Sequence, residues 1–274
     1  MSERVTVAIE GGVADVRLNR PEKMNALDPE MFEALTAAGR RLSEDPAVRV
    51  AVISGEGRAF CSGLDFGSFA RMAGGGADGD GGAETTSAVF REGVGDANFA
   101  QSASWVWHEA PMPVIAAVHG VAFGGGLQIA LGADLRFVAP DARLSVLEVK
   151  WGLIPDMAGP QRLRYLVRED VAKELTFTGR IVDGAEAVAI GLATRVEEDP
   201  RAAALALAAE LAAKSPHALR AAKKLLNEVP RVSEAEGLQL EEHLQRSLIG
   251  SANQVEAVKA NFEKRAAAFA DVDL

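Results

Sequence analysis

The sequence predicts an α/β fold of recurring strand-strand-helix units closed by a C-terminal helical lobe. Two short apolar runs, Val48 to Ser54 and Val114 to Val118, each lead into a glycine loop and then a helical pattern, the order that packs strands against helices. Because that order recurs, it argues for a repeated unit rather than one dinucleotide-binding fold. Beyond Pro200 the chain turns into alanine-rich, helix-like stretches. These observations place a core at residues 1–200 and a helical lobe at residues 201–274.

Taken in order, Val5 to Ile9 and Val13 to Leu18 flank Gly11-Gly12 and read as an opening hairpin. The segment from Asn19 to Leu27 is a loop. Asp28-Pro29 then supplies an N-cap and a first-turn proline, after which Phe32, Leu35, Gly39 and Leu42 fall on one helical face. The glycine-rich run from Gly74 to Gly82 is entropically costly to fix, and a mobile surface loop is expected there. Thr85 to Ala110 reads as helical toward its end, with Phe90, Phe99, Trp105 and Trp107 covering the core. Leu135 to Val138 and Arg143 to Val146 read as strands, and Gln161 to Leu166, Glu169 to Thr178 and Asp183 to Ile190 as helices. The lobe reads as four helices: Arg201 to Ala213, Pro216 to Leu226, Val232 to Ile249 and Asn253 to Phe269. Several are too apolar to stand exposed, which predicts packing on the core or on another subunit.

A net charge of -10 and a pI near 5.0 exclude a broadly basic surface, and with it general nucleic-acid or anionic-membrane binding. One local basic spot for a phosphate stays open. The single cysteine, Cys61, excludes an internal disulfide framework and suits a reducing cytoplasm. Met1-Ser2-Glu3-Arg4 lacks a signal-peptide core, so a cytoplasmic protein is expected. Val114 to Ala133 has the length of a membrane span, but its clustered glycines, His119 and Gln128 fit a buried strand, a turn and a buried helix better. No GxxxxGK and no complete dinucleotide fingerprint occur. His108, His119, His217 and His243 are scattered without metal-ligand spacing. Neither a metal nor a separate cofactor is expected.

Two stretches carry chemistry in their backbone. Ala122-Phe123-Gly124-Gly125-Gly126-Leu127-Gln128 follows one strand, and Phe60-Cys61-Ser62-Gly63-Leu64-Asp65 follows another. Bare backbone in both loops can aim N–H groups at one developing negative charge, the outline of an oxyanion hole. For side-chain chemistry the candidates are Glu148 and Asp156, each in an apolar setting. Buried together they would raise each other's pKa toward that of a general acid or base. Alternatively, Glu148 pairs with Lys150 or an arginine and Asp156 caps a helix starting near Gly159. Cys61 reads as a buried filler, and Asp65 and Asp134 as loop or cap residues.

Four segments in order, Leu18 to Leu27, Ala59 to Phe66, Pro113 to Gln128 and Leu147 to Leu163, resemble the crotonase, or enoyl-CoA hydratase/isomerase, superfamily. The resemblance implies a crotonase-like spiral of β-β-α units, C-terminal helices that build a homotrimer or a dimer of trimers, and an acyl-CoA thioester substrate whose CoA is the only cofactor-like group. It places the thioester oxygen on the amides of Leu64 and Gly125. Backbone near Ala26, Ser62 and Leu64 would meet the rest of CoA, and Lys264 a CoA phosphate. Glu148 matches one of the two catalytic glutamates of the family's hydratases, while Gln128 stands where the other would be. Asp156 matches an aspartate and Glu148 the glutamate of the family's dienoyl-CoA isomerases, which also carry an aspartate where Gln128 stands, so two of three positions match. The expected activity is therefore double-bond isomerisation by Glu148 and Asp156, with Gln128 orienting substrate or water. The alternatives are an enoyl-CoA hydratase and a catalytically reduced CoA-binding or assembly protein.

Overall fold

A computed structural model describes residues 4–65, 67, 93 and 95–273 of the chain; the glycine run at 74–82 and Phe90 lie outside them. Strands β1 (Val5–Glu10), β2 (Val13–Leu18), β3 (Val50–Gly55), β4 (Val114–Val118), β5 (Val121–Phe123), β6 (Leu135–Val138), β7 (Arg143–Ser145) and β8 (Arg195–Val196) alternate with helices. The helices are α1 (Pro29–Ser43), α2 (Phe99–Glu109), α3 (Gly125–Gly132), α4 (Gly159–Leu166), α5 (Glu169–Thr178), α6 (Gly184–Ala189), α7 (Pro200–Ala212), α8 (Pro216–Glu228), α9 (Glu234–Leu248) and α10 (Ala252–Glu263).

β3 and β4 are buried along their whole length because both faces of their sheet are covered, which is why they read as unbroken apolar runs. They are central in a six-stranded sheet ordered β1-β2-β3-β4-β6-β8. The β1-β2 hairpin is antiparallel, turning at Gly11 and Gly12, both at positive φ; the remaining pairings are parallel. Ala51, Ile53, Val114, Ala116 and Val118 share one core with α1, α2 and α3. Val50, Val52, Ile115 and Ala117 point the other way, onto Ala204, Ala208 and Ala212 of α7. Those alanines recur every four residues, so they share one face and let the helix approach the sheet closely. The helix that opens at Pro200 thus closes the sheet's second face.

The strand-strand-helix order is visible as stacked turns. β5 follows β4 and β7 follows β6, and these short second strands pair in parallel. After β3 the same place is taken by Cys61, which bridges Ala122. β1 and α1 begin where the hairpin and Asp28-Pro29 predict, and the Asp28 carboxylate accepts the Met31 N–H. The last helix is shorter than expected, ending at Glu263, because Lys264 takes a left-handed conformation (φ 53°) that caps it. Among the described residues no helix is long and apolar enough to cross a membrane; the apolar run from Val114 divides into β4, β5 and α3.

Candidate active site

The loop after β2 is organised by Asn25, a residue sequence reasoning did not single out. It is fully buried at φ 54°, next to Met24 at φ 50°, and asparagine tolerates this left-handed backbone better than most residues. Its Oδ1 accepts the Arg20 N–H at 2.8 Å, and its Nδ2 donates to the carbonyls of Glu56 at 3.0 Å and Ala59 at 2.8 Å. Arg20 adds bonds to the Ala26 carbonyl and to Asp65. The two loops then zip together: Ser62 N–H donates to Met24 O at 2.9 Å, Leu27 N–H to Gly63 O at 2.8 Å and Asp65 N–H to Leu27 O at 3.0 Å. Ala26, Ser62 and Leu64 therefore lie on one seam. Between the bonded amides, Leu64 N–H has no acceptor among the described residues.

The second loop docks on the first through its backbone. Cys61 N–H donates to Val121 O at 3.0 Å and Phe123 N–H to Cys61 O at 3.1 Å. Gly124, at φ 51° and ψ -120°, caps α3, and Gly125 is the first residue of the helix, where an N–H has no partner in its own helix. Gly63, at φ 90°, lies close enough that a Cβ built on it would stand 3.8 Å from the Gly125 nitrogen. The unpaired amides of Leu64 and Gly125 thus come from adjoining loops, and the start of α3 adds the positive end of its dipole.

Glu148 opens a 3-10 turn (Glu148–Trp151) after β7 and is 8% exposed. Its carboxyl faces the glycine loop, since a Cβ on Gly124 would sit 3.3 Å from Oε1. Oε1 accepts the Gln128 Nε2–H at 2.7 Å, while Oε2 is buried with no hydrogen-bond partner among the described residues. Burial raises the Glu148 pKa, and the Asp156 charge adds to that rise; bonds from its own backbone and from Gln128 oppose it. Asp156 stands at the surface, yet the atoms crowding its carboxyl raise its pKa too. Among the described residues neither bland alternative holds: Lys150 lies over the Trp151 ring, no arginine pairs with Glu148, and the N-cap of α4 is Ala158, with no side-chain cap.

Gln128 is 2% exposed and engaged within the protein. Where the sequence suggested that it orients substrate or water, its Oε1 instead accepts the N–H groups of Met157 at 2.8 Å and Gly159 at 3.0 Å, and its Nε2 reaches Glu148. The reason is burial, which forces an amide to find partners inside the fold. Lys264, at the exposed end of α10, forms no hydrogen bond or ion pair with the Ala26, Ser62 and Leu64 loops among the described residues. Asp65 pairs with Arg20, and Asp134 with Lys223 and the Val114 N–H. Cys61 is fully buried, its Sγ 3.1 Å from Asn25 O. His119 meets Gly57 O, His217 meets Asn253, and His108 is buried beside Arg231.

The fold thus brings free backbone amides and a buried carboxylate to one glycine loop. A family model described as enoyl-CoA hydratase/isomerase matches residues 8–272, and the chain belongs to that family. It is 33% identical over 270 residues to "Probable enoyl-CoA hydratase echA8" of Mycobacterium tuberculosis, covering 97% of this chain and 98% of that one. It is 34% identical over 259 residues to a mitochondrial Delta(3,5)-Delta(2,4)-dienoyl-CoA isomerase of Mus musculus, covering 92% and 77%. The crystal structure of an enoyl-CoA hydratase from Bacillus anthracis superposes with a TM-score of 0.85 at 29% identity, covering 97% of this chain and 98% of that one. The fold is therefore the crotonase-like α/β fold.

Proposed function

We propose that the protein moves the double bond of an enoyl- or dienoyl-CoA. Leu64 and Gly125 N–H groups receive the thioester oxygen, Glu148 removes a proton from the acyl chain, and Asp156 assists reprotonation at a distant carbon. The electron pair of the broken C–H bond passes to the thioester oxygen, where the two amides and the start of α3 stabilise it. The observation that carries this reading is the partner of Glu148: it is an amide, Gln128, which cannot exchange a proton as a carboxylate does. The carboxylate whose charge reaches Glu148 is Asp156. Backbone at Ala26, Ser62 and Leu64 would meet CoA, and Lys264 its phosphate. Exposed Leu238, Ile249, Val255, Val258 and Phe262 on and between α9 and α10 support a homotrimer or a dimer of trimers.

Hydration of a 2-enoyl-CoA is the second reading, favoured by the hydratase names of two of the relatives above. The deciding experiment is an acyl-CoA panel in deuterated water, followed by mass spectrometry and chromatography. Migration of the double bond in 3-enoyl- or 3,5-dienoyl-CoA supports isomerisation. A gain of one water on 2-enoyl-CoA without migration replaces it with hydration. Tight binding with neither reaction nor deuterium at C2 makes the protein a CoA binder and overturns both.

A further inference from the structure

We propose that Gln128 is a positioning residue that selects Oε2 of Glu148 as the oxygen that takes the proton. The role given to Glu148 rests on the acyl-CoA reading above; the selection itself follows from hydrogen-bond bookkeeping. Gln128 Oε1 accepts two backbone N–H groups, Met157 and Gly159, so a flipped amide would set its NH2 against two donors. The Nε2 end must therefore face Glu148, and it occupies Oε1 at 2.7 Å. Oε2, buried and unpartnered, keeps its lone pairs free. In the step, an acyl C–H bond breaks, an O–H bond forms at Oε2, and the electron pair moves to the thioester oxygen.

The frame around Gln128 is built for this bond. Ser104 Oγ donates to the Gln128 carbonyl at 2.6 Å, fixing the backbone from α2. On the other side a Cβ on Gly159 would lie 2.7 Å from Gln128 Cγ and Oε1, so only glycine lets the 157–159 turn close on the amide. That turn follows directly on Asp156, the charged group that acts on Glu148, while the hydrogen bond the Glu148 carboxylate accepts among the described residues is the one from Gln128. One amide thus couples the base to the segment carrying the second carboxylate.

Gln128→Glu tests the geometry without any substrate. One oxygen of the new carboxylate would keep the Met157 and Gly159 N–H bonds, and the other would face Glu148 Oε1, a separation at which two carboxylates cannot both ionise. Infrared spectroscopy of the unliganded variant at pH 7 should show one more protonated carboxyl than the wild type, lost again in Gln128→Glu/Glu148→Gln. No additional protonated carboxyl would overturn the proposal, whatever the substrate proves to be. Gln128→Met removes the donor. On any thioester that the wild type deuterates, it should lower kcat about tenfold with KM within about threefold, and move the acidic limb of the pH profile upward. An unmoved limb with a uniform loss of rate would reduce Gln128 to a packing role.

Discussion

Gly126 of α3 packs directly on Cys61: a Cβ built on Gly126 would run into the Cys61 carbonyl oxygen and stand 2.8 Å from its Cβ. The close approach is backbone on backbone, so no rotamer change relieves it. It is also what keeps the Leu64 loop against the start of the helix.

Gly126→Ala should therefore push the 61–65 loop off α3 and separate the Leu64 and Gly125 amides. Losing one such donor lowers turnover by about 10²–10³, and the strained packing lowers the urea midpoint as well. Steady-state kinetics beside equilibrium unfolding checks this; full activity in the variant would remove these amides from the mechanism.

Glu148→Gln should lower C2 proton exchange by about 10²–10⁴ while leaving CoA-ester binding within a few-fold. It should also be more stable than the wild type at neutral pH. Burial holds the folded Glu148 pKa above its ordinary 4.5, so the protonated form is favoured by the fold. The stability this gives is fully present below 4.5 and is lost as pH rises through the folded value. The glutamine escapes that loss, so the two unfolding curves should converge below pH 4.5 and separate above the folded pKa.

Asp156→Asn separates the two proton steps. With the carboxyl gone, double-bond migration should fall at least about tenfold, while deuterium still enters at C2. Because the Asp156 charge raises the Glu148 pKa, its removal should shift the acidic limb of the exchange profile to lower pH. Equal loss of exchange and migration with an unshifted limb would take Asp156 out of the reaction.

Cys61 should be inert in the native state. Burial pushes its thiol pKa up to about 12, leaving almost no thiolate at neutral pH. A thiol reagent should report no reactive group until denaturant is added, then one. Prompt labelling of the folded protein would show the 61–65 loop opening.

The stretches that one sequence could resolve are those whose pattern is local. β2, β4 and β6 run where their apolar residues predict, and α1 and α5 begin at the capping and acidic residues that start helices. The close approach of the two glycine loops was legible from their glycines, and the burial of Glu148 from its apolar neighbours, whereas Asp156, expected to be buried beside it, stands at the surface. β5 and β8 are only three and two residues long, too short to show a period, and exist because neighbouring turns of the spiral offer edges.

The long-range partnerships were not legible at all. Asn25 reaches across 31 and 34 residues to Glu56 and Ala59, and nothing in its own segment announces those acceptors. Gln128 is the sharpest case. The sequence determined that an amide stands where a carboxylate would give two-glutamate chemistry. Only the tertiary structure decided which way that amide points, because its orientation is set by the N–H groups of Met157 and Gly159, about thirty residues away, that folding brings to its oxygen.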